Sequence, residues 1–401
     1  MSSPEGMLRD EVALEFFSGI GGLHYALKVA RPQARVARAF DVDDVATRVY
    51  SANFGPAASV SATDVCHLDA VSLNALGAGL WLLSPPCQPY TRQGLVLGAK
   101  DKRASGISHL TQLLASPELE PPSRFLMENV AGFEGSESRD VLVGALRSRG
   151  FSLREFWLSP VHLGIPNQRT RYFLLGKRGE ASAAGWAENE LLAAHELPPW
   201  EGGSGRPLPV LPRGAVRVER SLREYLEKEE EAEEEEGAEA EARPNVGGAA
   251  DATAAVGPAS AGGVDDAARP DGGGERAPAA RGAISAKFVA KYAIVLDVVG
   301  LNSTHSSCFT KNYARFAKGT GSVLATFAAR EEQLETADQA ERAGWALRYF
   351  SPREIANLHG FPRGDGFRLP ADMALRKQYN LLGNSLSVDV VAELVRHLYA
   401  R

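Results

Sequence analysis

The sequence predicts an α/β protein with an open sheet, and three stretches carry that prediction. Val12-Ala13-Leu14-Glu15-Phe16-Phe17 reads as a buried strand, followed by the glycine turn Ser18-Gly19-Ile20-Gly21-Gly22 and a helical pattern to Val29. The apolar run Leu80-Trp81-Leu82-Leu83 ends abruptly at Pro85-Pro86. A further strand over Arg124-Phe125-Leu126-Met127 ends in Glu128-Asn129-Val130. In open α/β sheets ligands bind outside the carboxyl ends of the strands, so these strand ends are where chemistry is expected.

Length and composition set the bounds. The 401 residues suggest two or three domains, and a hydrophobic fraction of 44% fits a soluble globular protein. The net charge of −6 is misleading, because Glu227 to Glu241 alone carries −9 and leaves +3 on the remainder. A mildly basic body permits a nucleic-acid partner without demanding one. Three cysteines (Cys66, Cys87, Cys308) are too few and too scattered for a disulfide framework or a metal site. The N-terminus lacks the basic and apolar regions of a signal peptide, and no apolar run approaches membrane-spanning length. The expectation is a cytoplasmic or nuclear protein with no membrane and no metal.

Taken in order, the elements justify themselves locally. The Gly19–Gly22 turn opens a helix, where N–H groups point outward and backbone can approach a cofactor; an ordinary tight turn is the alternative. A second strand, Arg35 to Phe40, ends in Asp41, which could accept hydrogen bonds from ribose hydroxyls or cap a helix over Val42 to Tyr50. Asp64-Val65 follows a third short extended segment and could touch an adenine ring or form an exposed turn. Two prolines fix φ and remove N–H donors after Leu83, so the chain leaves the sheet there and displays Cys87 on a stiffened loop. A small buried cysteine under a turn is the alternative. Glu128 stands at the end of the neighbouring strand, and the two side chains can share one pocket. Arg169 and Arg171, two apart, would face one side of an extended segment and suggest an anion or phosphate, with solvated edge charges as the alternative.

From about Glu201 to Gly282 the chain is largely proline, glycine, alanine and glutamate, and is expected to be mostly disordered. Order returns at Phe288, followed by a glycine- and aromatic-rich stretch around Cys308 and Gly319. Ser351-Pro352-Arg353-Glu354 carries the cap, N1 proline and N3 acid of a helix start. The chain closes with Leu381-Leu382-Gly383-Asn384-Ser385 and an amphipathic helix through Tyr399.

Five of these stretches occur in a telling order: Phe17-Ser18-Gly19-Ile20-Gly21-Gly22, Ser84-Pro85-Pro86-Cys87-Gln88-Pro89, Glu128-Asn129-Val130, Gln168 to Phe173, and Gly383-Asn384-Ser385. The series resembles the cytosine-C5 methyltransferase family over roughly residues 10–178 and 285–401. A narrower resemblance, to the branch acting on tRNA(Asp), rests on Gln88-Pro89-Tyr90-Thr91-Arg92, Cys308-Phe309-Thr310-Lys311 and Gly319 to Leu324. Gln168 has the form found in the DNA enzymes, so the arginine segment does not separate the branches.

The resemblance implies a Rossmann-like, S-adenosylmethionine-dependent methyltransferase fold with a small target-recognition subdomain. Its parts would be a catalytic domain over 10–178, an acidic insert over 179–284, the recognition subdomain over 285–345, and a return to the catalytic domain over 346–401. Cys87 would be the nucleophile, Glu128 would hold the cytosine edge, and Arg169 and Arg171 would orient the base or a phosphate. Phe17, Ser18, Gly19, Ile20, Gly21, Gly22, Asp41, Asp64, Val65, Ser84, Asn384 and Ser385 would line the cofactor cleft. Arg92, Cys308, Phe309, Thr310 and Lys311 would meet the substrate. The implied reaction methylates a cytosine in the anticodon loop of tRNA(Asp); the alternatives are a DNA cytosine-C5 methyltransferase and an inactive nucleic-acid-binding module. The last would be expected to have lost Cys87, Glu128 or the glycine loop, and none is lost.

Overall fold

A computed structural model describes residues 9–55, 59–86, 105–179, 186–197, 220–227, 282–327 and 329–400. Cys87, Arg92 and the Pro89-Tyr90-Thr91 continuation lie outside the described residues, as does most of the 179–284 insert. Seven strands form the main sheet: β1 (Val12–Phe16), β2 (Arg35–Phe40), β3 (Val60–Ser61), β4 (Leu80–Leu83), β5 (Arg124–Val130), β6 (Phe151–Leu158) and β7 (Arg171–Arg178). Their order is β3-β2-β1-β4-β5-β7-β6. Strands β1 to β5 run parallel, while β7 is antiparallel to both β5 and β6. Chain direction across the sheet reverses at β1, whose neighbours are β2 and β4, and a crevice opens at that switch point.

Side chains alternate between two cores, one on each face of the sheet. Ala13, Leu80, Leu82 and Leu126 join one, and Leu14, Trp81, Leu83 and Phe125 join the other. Helices on both faces therefore cover β4, which is why it reads as an uninterrupted apolar run. The C-terminal helix Val388–Tyr399 packs on the first helix, Gly22–Ala30. Its end is tied down where the Tyr399 hydroxyl donates to Asp10 O at 2.6 Å and Lys177 Nζ donates to Ala400 O at 2.7 Å. The last segment thus returns to the first and carries Leu381–Leu386 back over the crevice.

A second, three-stranded sheet is made of β8 (Val298–Val299), β9 (Val323–Ala325) and β10 (Leu347–Arg348), with β9 central. It has its own core, including Val289, Leu296, Val323, Leu334, Trp345 and Leu347. The helix start at Ser351 has the expected reciprocal cap: Glu354 N–H donates to Ser351 Oγ at 3.1 Å and Ser351 N–H to Glu354 Oε2 at 2.8 Å.

Two local expectations need correction. The helix after Asp41 runs Asp44–Phe54, and Asp43, not Asp41, caps it by accepting from Val45 and Ala46. Within the span expected to be mostly disordered, residues 220–227 are packed. Leu222 is fully buried, its N–H donates to Ser303 O at 3.0 Å, and Asn357 Nδ2 donates to Tyr225 O at 3.0 Å. An apolar pair three residues apart suffices to dock one turn, and a composition averaged over eighty residues conceals it.

Candidate active site

The glycine turn is shaped by the strands beneath it. Ser18 N–H donates to Phe40 O at 3.0 Å and Ser84 N–H donates to Phe16 O at 3.2 Å, which joins the carboxyl ends of β1, β2 and β4. Gly21 sits at φ 87° as the residue before the Gly22–Ala30 helix, and a Cβ there would lie 2.3 Å from the Phe54 ring. Only glycine fits that approach and that φ.

Above the turn lies a cleft of about 430 Å³, within the usual range for a small-molecule site. Of the expected cofactor residues, Phe17, Ser18, Gly19, Ile20, Gly22, Asp41, Asp64, Val65, Ser84, Asn384 and Ser385 all line it. Gly21 is the exception: it faces Phe54 and shapes the turn from behind. Leu381, Leu386, Gly106 and Val42 also line the cleft. Leu381 and Val42 stand in stretches with their own sequence signals, but none of the four is marked as a cofactor residue by the sequence, because wall residues of a cleft carry no motif.

Asp41 holds the turn open. Its Oδ2 accepts from Gly19 N–H at 2.7 Å and its Oδ1 from Asp43 N–H at 2.8 Å. Burial pushes its carboxyl above the ordinary aspartate range, and the two N–H donors pull partly the other way. Each oxygen keeps a further lone pair for a ligand hydroxyl. Ser18 Oγ is buried with no partner among the described residues, and buried polar atoms of that kind call for a ligand or water. At Gly19, φ 53°, no atom of the described residues comes within 4 Å of where a Cβ would sit. An acidic acceptor, an unpartnered hydroxyl and open backbone fit an adenosyl ligand bearing a ribose diol and a charged tail.

The far end of the cleft is ionic. Residues Glu128 and Val130 of β5 lie opposite Phe173 and Arg171 of β7, so Glu128 and Arg171 are diagonal neighbours across the ladder. Arg171 Nε lies 3.2 Å from Glu128 Oε1, and Ser84 Oγ donates to Glu128 Oε2 at 2.8 Å. Glu128 is 6% exposed, yet both it and Arg171 line the cleft. Pro86, the last described residue before Cys87, lines it too.

Arg169 is not a solvated edge charge. It is 2% exposed and lies in the turn before β7, donating to Phe309 O at 3.0 Å and Gly383 O at 3.1 Å, and also to Ser385 O. Its Nη1 is 3.3 Å from Cys308 Sγ, and Arg171 Nη2 is 3.9 Å from the same sulfur. Burial raises the Cys308 thiol, but the two guanidiniums outweigh it and hold the thiol below its ordinary range. Phe309 requires a correction. It is fully buried, edge-on to Tyr313 and Phe350 at 5.0 and 5.1 Å, so its ring supports the loop over 310–320 from beneath and cannot meet substrate.

The C-5 cytosine-specific DNA methylase profile matches residues 12–400. The chain belongs to that family. Membership makes it a cytosine-C5 methyltransferase and implies S-adenosylmethionine as methyl donor, consistent with the cleft. The chain is 35% identical to the tRNA (cytosine(38)-C(5))-methyltransferase of Rattus norvegicus, covering 95% of this chain and 97% of that one. It is 29% identical to a DNA (cytosine-5)-methyltransferase of Dictyostelium discoideum, covering 96% and 93%. Among solved structures, the S. pombe Dnmt2 methyltransferase superposes with a TM-score of 0.66 at 26% identity, covering 96% and 97%. Among the described residues of this methyltransferase, no group of three His, Cys, Asp or Glu could hold a metal ion.

Proposed function

We propose that this methyltransferase acts on tRNA, at a cytosine in the anticodon loop of tRNA(Asp). The observation that carries the reading is the near end-to-end likeness to a chain bearing the tRNA name, at 35% identity. The Cys308-Phe309-Thr310 segment supports it, since it is seated on the wall of the cleft through Arg169. Physics favours the same direction: a base already outside a helix costs less to insert than one flipped from a duplex.

In this reading Asp41, Ser18 and the Gly19 backbone hold the cofactor, and Asn384 and Ser385 close over it. S-adenosylmethionine, when bound, supplies an electrophilic methyl group. The Cys87 thiolate would add to C6 of the cytosine, making C5 nucleophilic enough to take that methyl as its bond to the donor's sulfonium sulfur breaks and the donor departs as a neutral thioether. Loss of the C5 proton to solvent and of the thiolate from C6 then restores the aromatic ring. Glu128, fixed by Ser84 and Arg171, accepts from the cytosine amino group, a donor that uracil does not present. Arg171 orients this carboxylate, while Arg169 ties the recognition segment to the cleft by donating to backbone carbonyls.

The test compares initial rates on tRNA(Asp) transcript and unmethylated duplex DNA at equal cytosine concentration and a single salt concentration. The expected result is methylation of one anticodon-loop cytosine with little transfer to the duplex. Comparable or faster rates on the duplex overturn the tRNA reading and leave the C5 chemistry standing. Cys87→Ala should abolish transfer in the same assay; residual activity above about one per cent, a loss of under roughly 3 kcal/mol of barrier, removes the nucleophile assignment.

A further inference from the structure

Residues 298–330 contain no aspartate or glutamate but include Lys311, Arg315, Lys318 and Arg330, in a chain whose net charge is −6. Within it, residues 310–320 form a closed loop. Thr310 N–H donates to Thr320 O at 2.9 Å across its neck, and Thr320 Oγ1 donates to Phe316 O at 2.9 Å. Beneath it, Tyr313 is packed edge-on against Phe309 and Tyr379 at 5.0 and 5.1 Å, and its hydroxyl donates to Ser322 O at 2.7 Å. The floor is therefore rigid.

What this floor displays is unusual for a surface. Ala314 takes φ 60°, a left-handed conformation that non-glycine residues seldom adopt, and the chain beyond it turns outward. Arg315, Phe316 and Lys318 are exposed. Phe316 is 52% exposed, and among the described residues every other exposed large hydrophobic side chain is aliphatic. Arg315 Cζ lies 5.1 Å from the Phe316 ring centroid. No ion pair engages Lys311, Arg315 or Lys318 among the described residues. A lone exposed ring beside free cations on a rigid loop is the make-up of a platform on which an unpaired base stacks while the cations meet its phosphates.

The loop is also placed for it. Its root lies directly on the cleft wall: the backbone of Thr310 and Lys311 approaches Gly383 so closely that a Cβ there would be 2.1 Å from Thr310 C, and Gly383 lines the cleft. Phe316 is six residues beyond Thr310, so its Cα lies within roughly 20 Å of the cleft wall. That is the reach of nucleotides flanking a base inserted there.

We infer that Phe316 stacks on an unpaired base flanking the target cytosine, with Arg315 and Lys318 holding adjacent phosphates, so that this loop selects single-stranded over duplex substrate. The inference deepens the tRNA reading and rests on it. Single-stranded loops offer unstacked bases to aromatic side chains, whereas a duplex does not.

The experiment measures steady-state kinetics on tRNA(Asp) transcript, S-adenosylmethionine affinity and melting temperature for wild type, Phe316→Ala, Phe316→Trp and the double variant Arg315→Gln/Lys318→Gln. Phe316→Ala should raise KM for tRNA about fivefold to a hundredfold with kcat and cofactor affinity unchanged, and Phe316→Trp should restore KM. The double variant should flatten the dependence of log KM on log salt by about 1.4, or 0.7 for each single-strand phosphate contact. An unchanged KM in Phe316→Ala, or a tryptophan variant no better than alanine, overturns the inference while wild-type activity on tRNA upholds the function. Should wild type fail to methylate tRNA, the function falls instead. Anisotropy with a labelled single-stranded oligoribonucleotide then decides the loop separately, since equal affinity of wild type and Phe316→Ala overturns it.

Discussion

Arg171 Nε and Glu128 Oε1 lie 3.2 Å apart across the β5–β7 ladder, and Ser84 Oγ holds the other carboxylate oxygen at 2.8 Å. The two residues therefore have separable duties. Glu128→Gln keeps an acceptor for Arg171 and the shape of the pocket, but presents an amide to the cytosine edge. Methyl transfer should fall by about a hundredfold or more while thermal stability stays near wild type. Arg171→Ala instead leaves a buried carboxylate without its counter-charge, and should lose about 3–5 kcal/mol of stability as well as activity. Paired urea melts and single-turnover rates check both. If Glu128→Gln retains wild-type turnover, the carboxylate does not touch the base.

Asp41 and Asp43 stand two residues apart and can be told apart by mutation. Both line the cleft, but the Asp43 carboxylate caps the Asp44–Phe54 helix, whereas that of Asp41 accepts from Gly19 N–H. Asp41→Ala should weaken S-adenosylmethionine binding about tenfold to a hundredfold, the cost of losing charge-assisted hydrogen bonds. Asp43→Ala should cost about 1 kcal/mol of stability and leave cofactor affinity within twofold. Calorimetric titration of both variants settles it, and an unchanged dissociation constant in Asp41→Ala removes that residue from the cofactor site.

Under the glycine turn, Glu15 is fully buried and its carboxyl is pushed up to about 8, chiefly by desolvation. Tyr50 Oη lies 2.8 Å from Glu15 Oε2 and 2.8 Å from His24 Nδ1, and burial lowers the His24 imidazole to about 4. A carboxyl raised on folding favours the folded state at low pH. Its contribution is complete below about 4.5 and is lost as pH rises toward 8, at roughly 1.4 kcal/mol per pH unit. Glu15→Gln reproduces the protonated form, with its amide donating to Tyr50 and its carbonyl accepting from His24 N–H. Denaturation from pH 5 to 9 should show wild-type stability falling relative to Glu15→Gln across this window. Parallel pH profiles for the two proteins would contradict a buried neutral Glu15.

Much of this site was legible in the sequence because its chemistry sits at strand ends, and strand ends are marked by local breaks. Pro85-Pro86 ends β4 and Gly19–Gly22 ends β1, and neither depends on distant packing to be read. What could not be read needed three-dimensional partners. The cap of the helix after β2 belongs to Asp43 because Asp41 is drawn toward Gly19, a contact between residues 22 apart. Phe309 falls within a motif, yet its ring turns inward to Tyr313 and Phe350. Leu222 and Tyr225 are isolated in a low-complexity stretch, and the surfaces that give this turn a place to dock, among them Leu301, Ser303, Asn357 and Arg363, lie far away in the sequence.

Gly383 links the cleft to the loop over 310–320, and its substitution should disturb both. It lies within the Leu375–Asn384 helix, where alanine is intrinsically favoured over glycine by about 1 kcal/mol. A Cβ there, however, would be 2.1 Å from Thr310 C, 2.2 Å from Lys311 N and 2.4 Å from Thr310 O. All three atoms are backbone, so no side chain can rotate away, and overpacking of this kind costs about 1–3 kcal/mol. Steric conflict should therefore prevail over propensity. Gly383→Ala is expected to lower the melting temperature and weaken cofactor affinity while also raising KM for tRNA. Asp41→Ala should move only the cofactor constant and Phe316→Ala only the tRNA KM, so the combined effect distinguishes a junction from either site alone. If Gly383→Ala matches wild type in all three measurements, the loop over 310–320 does not bear on the cleft wall at this point.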